Sequence, residues 1–324
     1  MRALITGITG QDGSYLAEHL LEKGWDVYGI IRRQSVTENQ DSRIVGLPIT
    51  RFYGDMTDAV SLSRIIREVQ PDHVYNLAAM SQVRVSFDVP AFTISTNALG
   101  VLNMLEAVRI EHPTAKFYQA SSSEMFGNNI EADGYQREST PMTPVSPYGC
   151  AKVMGYNLVR HYRAAYKMFA CNGILFNHES PRRGSNFVTQ KVVKTAVQIK
   201  HGQADSLTLG NIDSQRDWGH AYDYVRAMHS ILEHDEADDF VVATGETRSI
   251  RDLCKFTFAE LGLDYRDYLQ FDEIYTRPEE LDILRGDASK SREVLGWEPT
   301  RSYENMIREM ISVWEDKLSS GDTK

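Results

Sequence analysis

The first two dozen residues constrain the fold more than any other stretch. A short apolar run, Ala3 to Thr6, passes directly into Gly7-Ile8-Thr9-Gly10-Gln11-Asp12-Gly13, and a helical pattern opens at Ser14. Three glycines at three-residue spacing let the backbone turn sharply, let an anion approach main-chain N–H groups, and let helix and strand pack closely. A glycine trio alone marks only a tight turn. Lodged between a strand and a helix, it marks the diphosphate cradle of a dinucleotide-binding βαβ unit. Such a unit has to continue as strands and helices alternating around a parallel sheet.

The pattern does continue in this way to about residue 176. Strands are expected at Arg2 to Thr6, Asp26 to Ile31, Arg51 to Gly54, His73 to Leu77, Lys116 to Ala120 and Phe169 to Leu175. Between them, apolar residues at three- and four-residue spacing predict helices over Ser14 to Lys23, Ala59 to Val69, Ala91 to Ile110 and Tyr148 to Tyr166. Beyond residue 177 the alternation weakens into loops bearing Pro, Arg and Gly. The expected architecture is α/β: a Rossmann-type doubly wound parallel sheet over 1–176, with a smaller C-terminal substrate-binding cap over 177–324. Segments near 220–245 are expected to return to the main sheet.

Composition narrows the ligands. A net charge of -10 disfavours nucleic acid and anionic membrane as partners, because those surfaces select a basic field. An anionic ligand must therefore be held by local cations. No run approaches the roughly 18 apolar residues of a membrane span. The N-terminus lacks the apolar core and cleavage site of a signal peptide. Cys150, Cys171 and Cys254 fit neither a disulfide framework nor a zinc site, so no metal is expected and the cytoplasm is favoured.

Two further sets of residues carry chemistry. Arg32 and Arg33 follow the second strand, where a binder of the unphosphorylated dinucleotide usually has an acid for the ribose 2′-hydroxyl. Two guanidiniums there favour a 2′-phosphate, hence NADP over NAD; a solvated surface pair is the alternative. Asp55, closing the third strand, is placed to reach the adenine. Tyr148 and Lys152, four apart on a helix, share one face, so the ammonium is expected to favour the phenolate as a base. Ser122, at the end of the fifth strand, offers a third polar group, a hydroxyl, for the same substrate oxygen.

With these residues in place, the chain resembles the extended short-chain dehydrogenase/reductase family over nearly its whole length. Within that family, five strings are similar to the GDP-mannose 4,6-dehydratases: Thr6 to Tyr15, Ala120 to Gly127, Ser146 to Lys152, Gly173 to Gly184 and Arg216 to Ala221. Ser122 stands where that group more usually has threonine. The resemblance implies a lyase that converts GDP-mannose to GDP-4-keto-6-deoxymannose, moving hydride internally from C4 to C6 through NADP with loss of water. Tyr148 would deprotonate the 4-hydroxyl, Lys152 would assist it, and Glu124 would take the C5 proton. It also implies that Gly7, Thr9, Gly10, Gln11, Asp12, Gly13, Met56, Leu77, Ala78, Ala79, Ser81, Phe92, His178 and Arg183 meet the cofactor. Ser81, Asn177, Val188, Lys191, Gly210 and Arg216 would meet the substrate, and Arg277 with Glu280 would form a distal pair at the nucleotide.

Glu124 does not separate a dehydratase from a sugar-nucleotide decarboxylase, and an epimerase of the same family also stays open. From another class, a noncatalytic NADP-binding module would have lost Tyr148, Lys152 or Glu124. The helices at 91–110 and 148–166 resemble those that pair between subunits in the family, which implies a homodimer at least. A homotetramer is the further possibility, through the segment Arg32 to Arg43.

Overall fold

The computed structural model describes residues 1–33 and 43–320. In chain order the strands are β1 (Arg2–Thr6), β2 (Asp26–Ile31), β3 (Thr50–Tyr53), β4 (His73–Asn76), β5 (Lys116–Ser122) and β6 (Ala170–Leu175), followed by β7 (Asn177–Glu179), β8 (Leu207–Leu209), β9 (Gln215–His220), β10 (Asp239–Val242), β11 (Thr247–Ser249), β12 (Leu269–Phe271) and β13 (Ile283–Leu284). Seven of them form one parallel sheet in the order β10-β6-β5-β4-β1-β2-β3. The strand order reverses between β1 and β4, so a crevice opens at the carboxyl ends of those two strands.

Alternation along the strands divides the core. Ala3 and Ile5 face one hydrophobic cluster, and Leu4 faces the other. Both faces are covered by helices, which is why these strands read as continuous apolar runs. The helices Gln11–Glu22 and Ala221–Glu233 lie on the first cluster's side, and Ala59–Val69 and Gly100–Glu111 on the second's. A third cluster, including Val192, Leu253 and Ile307, joins the helices Val188–Lys200, Ile250–Glu260 and Tyr303–Ser319 beside β8 and β9.

Several boundaries differ from the sequence expectation for physical reasons. The first helix starts at Gln11 and not Ser14, because Gly10, in extended conformation, already serves as its N-cap. β5 runs to Ser122, two residues past the expected end. The expected helix 91–110 is a helix at Pro90–Ile94, a π-turn at Ser95–Leu99 and a helix at Gly100–Glu111. The widened turn carries Asn97, whose side chain accepts from Met80 N (2.8 Å) and donates to Met80 O (2.8 Å). This π-turn therefore fixes the loop that follows β4. No helix of the described residues is long and apolar enough to cross a membrane.

Candidate active site

Two adjoining cavities open where the sheet reverses, one of about 450 Å³ and one of about 630 Å³. They share Asp12, Leu77, Ala79, Ser81 and Arg183. The smaller is built on the glycine turn. Gly7 has φ +68°, and a Cβ there would lie 2.9 Å from Ala78 N; a Cβ on Gly13 would lie 2.3 Å from Gly7 O. Neither position admits a side chain without moving backbone. Thr6 Oγ1 accepts from Leu77 N (3.0 Å) and Ala78 N (2.9 Å) and donates to Asn76 Oδ1 (2.8 Å), tying the loops after β1 and β4 together.

Gly7, Thr9, Gly10, Gln11, Asp12 and Gly13 line this cavity, joined by Arg32, Asp55, Met56 and Phe92, and by Leu77, Ala78, Ala79 and Ser81 from the loop after β4. The helix at Gln11 has no side-chain cap, so its first N–H groups are open to an anion. Burial works against ionisation of Asp55, but hydrogen bonds from Thr57 N and Oγ1 and the charge of Arg32 outweigh it and hold the carboxyl below its ordinary value. A cradle that excludes side chains, an uncapped helix terminus and a nearby guanidinium together fit a nicotinamide dinucleotide. Arg43, which the sequence reading did not single out, donates from Nη1 to Thr9 O at 3.1 Å. Residues 34–42, central to the expected tetramer loop, lie outside the described residues.

The larger cavity brings together Ser122, Glu124, Tyr148 and Lys152 with Asn177, His178, Val188, Lys191, Gly210, Arg216, Arg277 and Glu280. Ser122 ends β5, and the chain turns at once into a 3₁₀ segment, Ser123–Phe126, whose Glu124 N–H donates to Ser122 Oγ at 3.3 Å. Tyr148 and Lys152 project from the first turns of the helix Pro147–Tyr166, with Pro147 at its start and Ser146 Oγ accepting from Gly149 N at 3.0 Å.

The electrostatics correct one expectation. Burial pushes the Tyr148 phenol up to about 12; the Ser122 hydrogen bond and Arg183 pull it down, while Glu124 and Asp12 push it further up. The phenol is thus raised and not lowered. Lys152 lies with Nζ 5.6 Å from the Tyr148 ring centroid and donates to Ala120 O at 2.7 Å, and burial brings its own value down to about 8. The i, i+4 spacing places the two side chains side by side, but desolvation decides the sign.

Arg277 and Glu280 lie together as an ion pair, and Arg277 has a further partner that the sequence did not suggest: its Nη1 donates to both oxygens of Glu124, at 3.0 and 3.3 Å. Glu280 accepts from Arg216 Nη2 at 3.2 Å and lies 3.7 Å from Arg277 Nε. Chain connectivity separates Glu124 from Arg277 by 153 residues, so nothing local in sequence marks the contact.

His178 lines the larger cavity and not the smaller. Its Nε2 meets Asp12 Oδ2 at 2.9 Å, its Nδ1 meets Phe176 O at 2.7 Å, and its ring stacks on Tyr224 at 4.5 Å. Burial opposes its protonation, yet Asp12 raises its pKa overall. The two contacts tie the glycine turn to β7 through this ring. Asn177 Oδ1 and Lys191 Nζ are buried without a hydrogen-bond partner, and both line the cavity. Buried polar atoms of this kind call for a ligand. Lys191 sits one turn into the helix Val188–Lys200, whose N-terminus has no side-chain cap and opens on the same cavity. Tyr275, also missed from sequence, lies under the ammonium with its ring centroid 3.4 Å from Lys191 Nζ.

Comparison with known proteins agrees with this geometry. Residues 4–310 match the family model described as GDP-mannose 4,6 dehydratase. GDP-mannose 4,6 dehydratase 2 of Arabidopsis thaliana is 49% identical over 322 residues, covering 95% of this chain and 85% of that protein. The Homo sapiens GDP-mannose 4,6 dehydratase is 44% identical over 337 residues, covering 95% and 90%. Among solved structures, a UDP-glucose 4-epimerase of Thermotoga maritima superposes with a TM-score of 0.87 at 24% identity, covering 98% and 100%, which speaks for the fold. The chain belongs to the GDP-mannose 4,6-dehydratase family.

Proposed function

We infer that this chain is a lyase that dehydrates GDP-mannose to GDP-4-keto-6-deoxymannose. The observation that carries the reading is a carboxylate, Glu124, in the same cleft as Ser122, Tyr148 and Lys152 and adjoining the dinucleotide cradle. An oxidoreductase that only moves hydride at C4 has no use for a second base there. When bound, the oxidised nicotinamide supplies a reversible hydride acceptor.

The chain's own residues do the rest. Ser122 and Tyr148 hold the 4-hydroxyl, and Tyr148 accepts its proton as the C4 hydrogen leaves as hydride. The resulting ketone acidifies C5; Glu124 takes that proton and passes it to the 6-hydroxyl, which departs as water. A bound dinucleotide would give the hydride back to C6 while Tyr148 returns its proton to C5, so both would be unchanged over a turnover. Asp12 and His178 hold the floor between the two cavities. Lys191, Arg216 and the N-terminus at Val188 offer positive potential to the diphosphate, against the chain's overall negative charge. The dinucleotide is NADP, on the strength of Arg32 beside the smaller cavity.

The assembly is a homodimer at least. Ile94, Leu99 and Met154, each about two-fifths exposed, are apolar side chains presented by the paired helical segments 90–111 and 147–166. Residues 1–176 with 220–245 serve the dinucleotide, and the remainder mainly the substrate.

The experiment is incubation of the protein with NADP and GDP-mannose, read by mass spectrometry for loss of one water, alongside Glu124→Gln. The variant is expected to reduce bound cofactor, seen as nicotinamide absorbance, while dehydrated product and solvent exchange at C5 fall together. Normal dehydration by Glu124→Gln overturns the assignment.

A further inference from the structure

Four charged side chains form a row along one wall of the cleft. Arg277 holds both oxygens of Glu124, Glu280 lies between Arg277 and Arg216, and Arg216 Nη1 is taken up by the carbonyls of Gln215 (2.9 Å) and Leu281 (3.0 Å). Glu124 and Arg216 are buried, where a charge without a partner is costly. Two guanidiniums face two carboxylates, so the row carries no net charge. Lys191 stands outside it, with a buried Nζ that has no hydrogen-bond partner.

Two requirements then conflict. A diphosphate gains less from arginines whose charge is already balanced by carboxylates, so its binding favours release of one carboxylate. Glu124, for its part, is a weaker base while a guanidinium nitrogen donates to both of its oxygens. A single movement resolves both. We propose that Arg277 masks Glu124 in the free chain, and that the nucleotide diphosphate of the substrate draws Arg277 away and frees the carboxylate. Lys191 and the uncapped helix N-terminus at Val188 give the diphosphate its first hold, since neither is committed to a protein carboxylate or hydrogen-bond acceptor. The C5 base is thereby armed only when the nucleotide end of the sugar donor is seated. Arg277 is a positioning residue acting through Glu124, and the inference rests on reading this cleft as a nucleotide-sugar site.

The test reads the carboxylate itself. The intact protein, loaded with NADP, is treated with a water-soluble carbodiimide and a small amine, and conversion of Glu124 is followed by peptide mass spectrometry. GDP is the probe, because it fills the nucleotide end and leaves no sugar over Glu124. Wild-type Glu124 is expected to react slowly alone and about tenfold faster with GDP, the order that loss of a charge-assisted pair allows. Arg277→Gln should react at the fast rate without GDP and gain nothing from it. Arg277→Lys, which keeps a cation but not the two-oxygen grip, should lie between. Equal rates for wild type and Arg277→Gln overturn the mask, as does GDP slowing the wild type. Should Arg277→Gln not fold, an Arg277→Lys rate no faster than wild type overturns it. If GDP does not bind, the reading of the cleft fails while the comparison of variants still decides the mask.

Discussion

At the scale of the residue, Tyr148 shows what spacing reveals and what it hides. Its place beside Lys152 follows from four-residue separation on one helix, and its place beside Ser122 from the end of a strand. Its raised pKa does not follow from either, because burial is a property of everything packed around the phenol. A phenol at about 12 in the ligand-free chain holds its proton near neutrality. Accepting a substrate proton therefore depends on the environment that substrate and dinucleotide complete. Tyr148→Phe keeps the ring and its packing but deletes the proton acceptor. It is expected to lower kcat by about 10²- to 10⁴-fold, the usual share of a positioned base, with the dissociation constant for GDP-mannose nearly unchanged. Single-turnover rates beside equilibrium titration check this, and a loss under tenfold would leave Tyr148 as a structural phenol.

At the scale of the element, a buried histidine cluster on the far edge of the sheet carries a pH dependence unrelated to the site. His19 on the helix Gln11–Glu22 and His229 on the helix Ala221–Glu233 share a 3.2 Å contact, and His73 opens β4, the strand whose other end meets the dinucleotide cavity. Burial lowers His19 and His229 to about 4 and His73 to about 3, with Lys23, Arg226 and Lys116 adding to the effect. Glu233 lies 3.8 Å from His73 and 3.6 Å from His229. The sign follows from proton uptake. Above pH 6.5 the three rings are neutral in both folded and unfolded chains, so they impose no penalty. Between 6.5 and about 4 the unfolded chain binds protons that the folded chain refuses, and stability falls as pH falls. Urea midpoints taken across this window are expected to drop steeply, and His229→Phe should flatten that slope without changing the midpoint's ordering at pH 8. A slope unchanged in the variant would assign acid loss to other groups. The sequence pattern identified the helix that carries His19 and the strand that carries His73, but not the helix that carries His229, and the cluster itself was invisible, since it joins residues 19, 73 and 229 only through the sheet order.

At the scale of the whole molecule, the sheet and the glycine cradle were legible because they are local: a strand, a turn and a helix within about twenty residues. The cap was legible only as a loss of alternation, because β7, β11 and β13 are short and pair with β9 across long separations. The link between the halves runs through Asp12, His178 and Arg183, side chains that come together only when the start of the helix Gln11–Glu22 is brought beside β7 and the loop after it. A ligand in the cradle therefore stabilises both halves, and its effect reads out as one cooperative shift. Occupancy at 100 times the dissociation constant adds about 2.7 kcal/mol. For a chain of 324 residues, an unfolding entropy near 2.1 cal/mol/K per residue turns this into a rise in Tm of about 4 °C. NADP is expected to give that rise at a concentration where NAD gives distinctly less, because Arg32 beside the cradle favours a 2′-phosphate. Arg32→Asp should narrow or reverse the difference, each shift being read against the variant's own ligand-free Tm. Thermal scans with both dinucleotides over matched concentration series decide it. Equal shifts in the wild type would remove the preference for NADP and leave the cradle as a site for either dinucleotide.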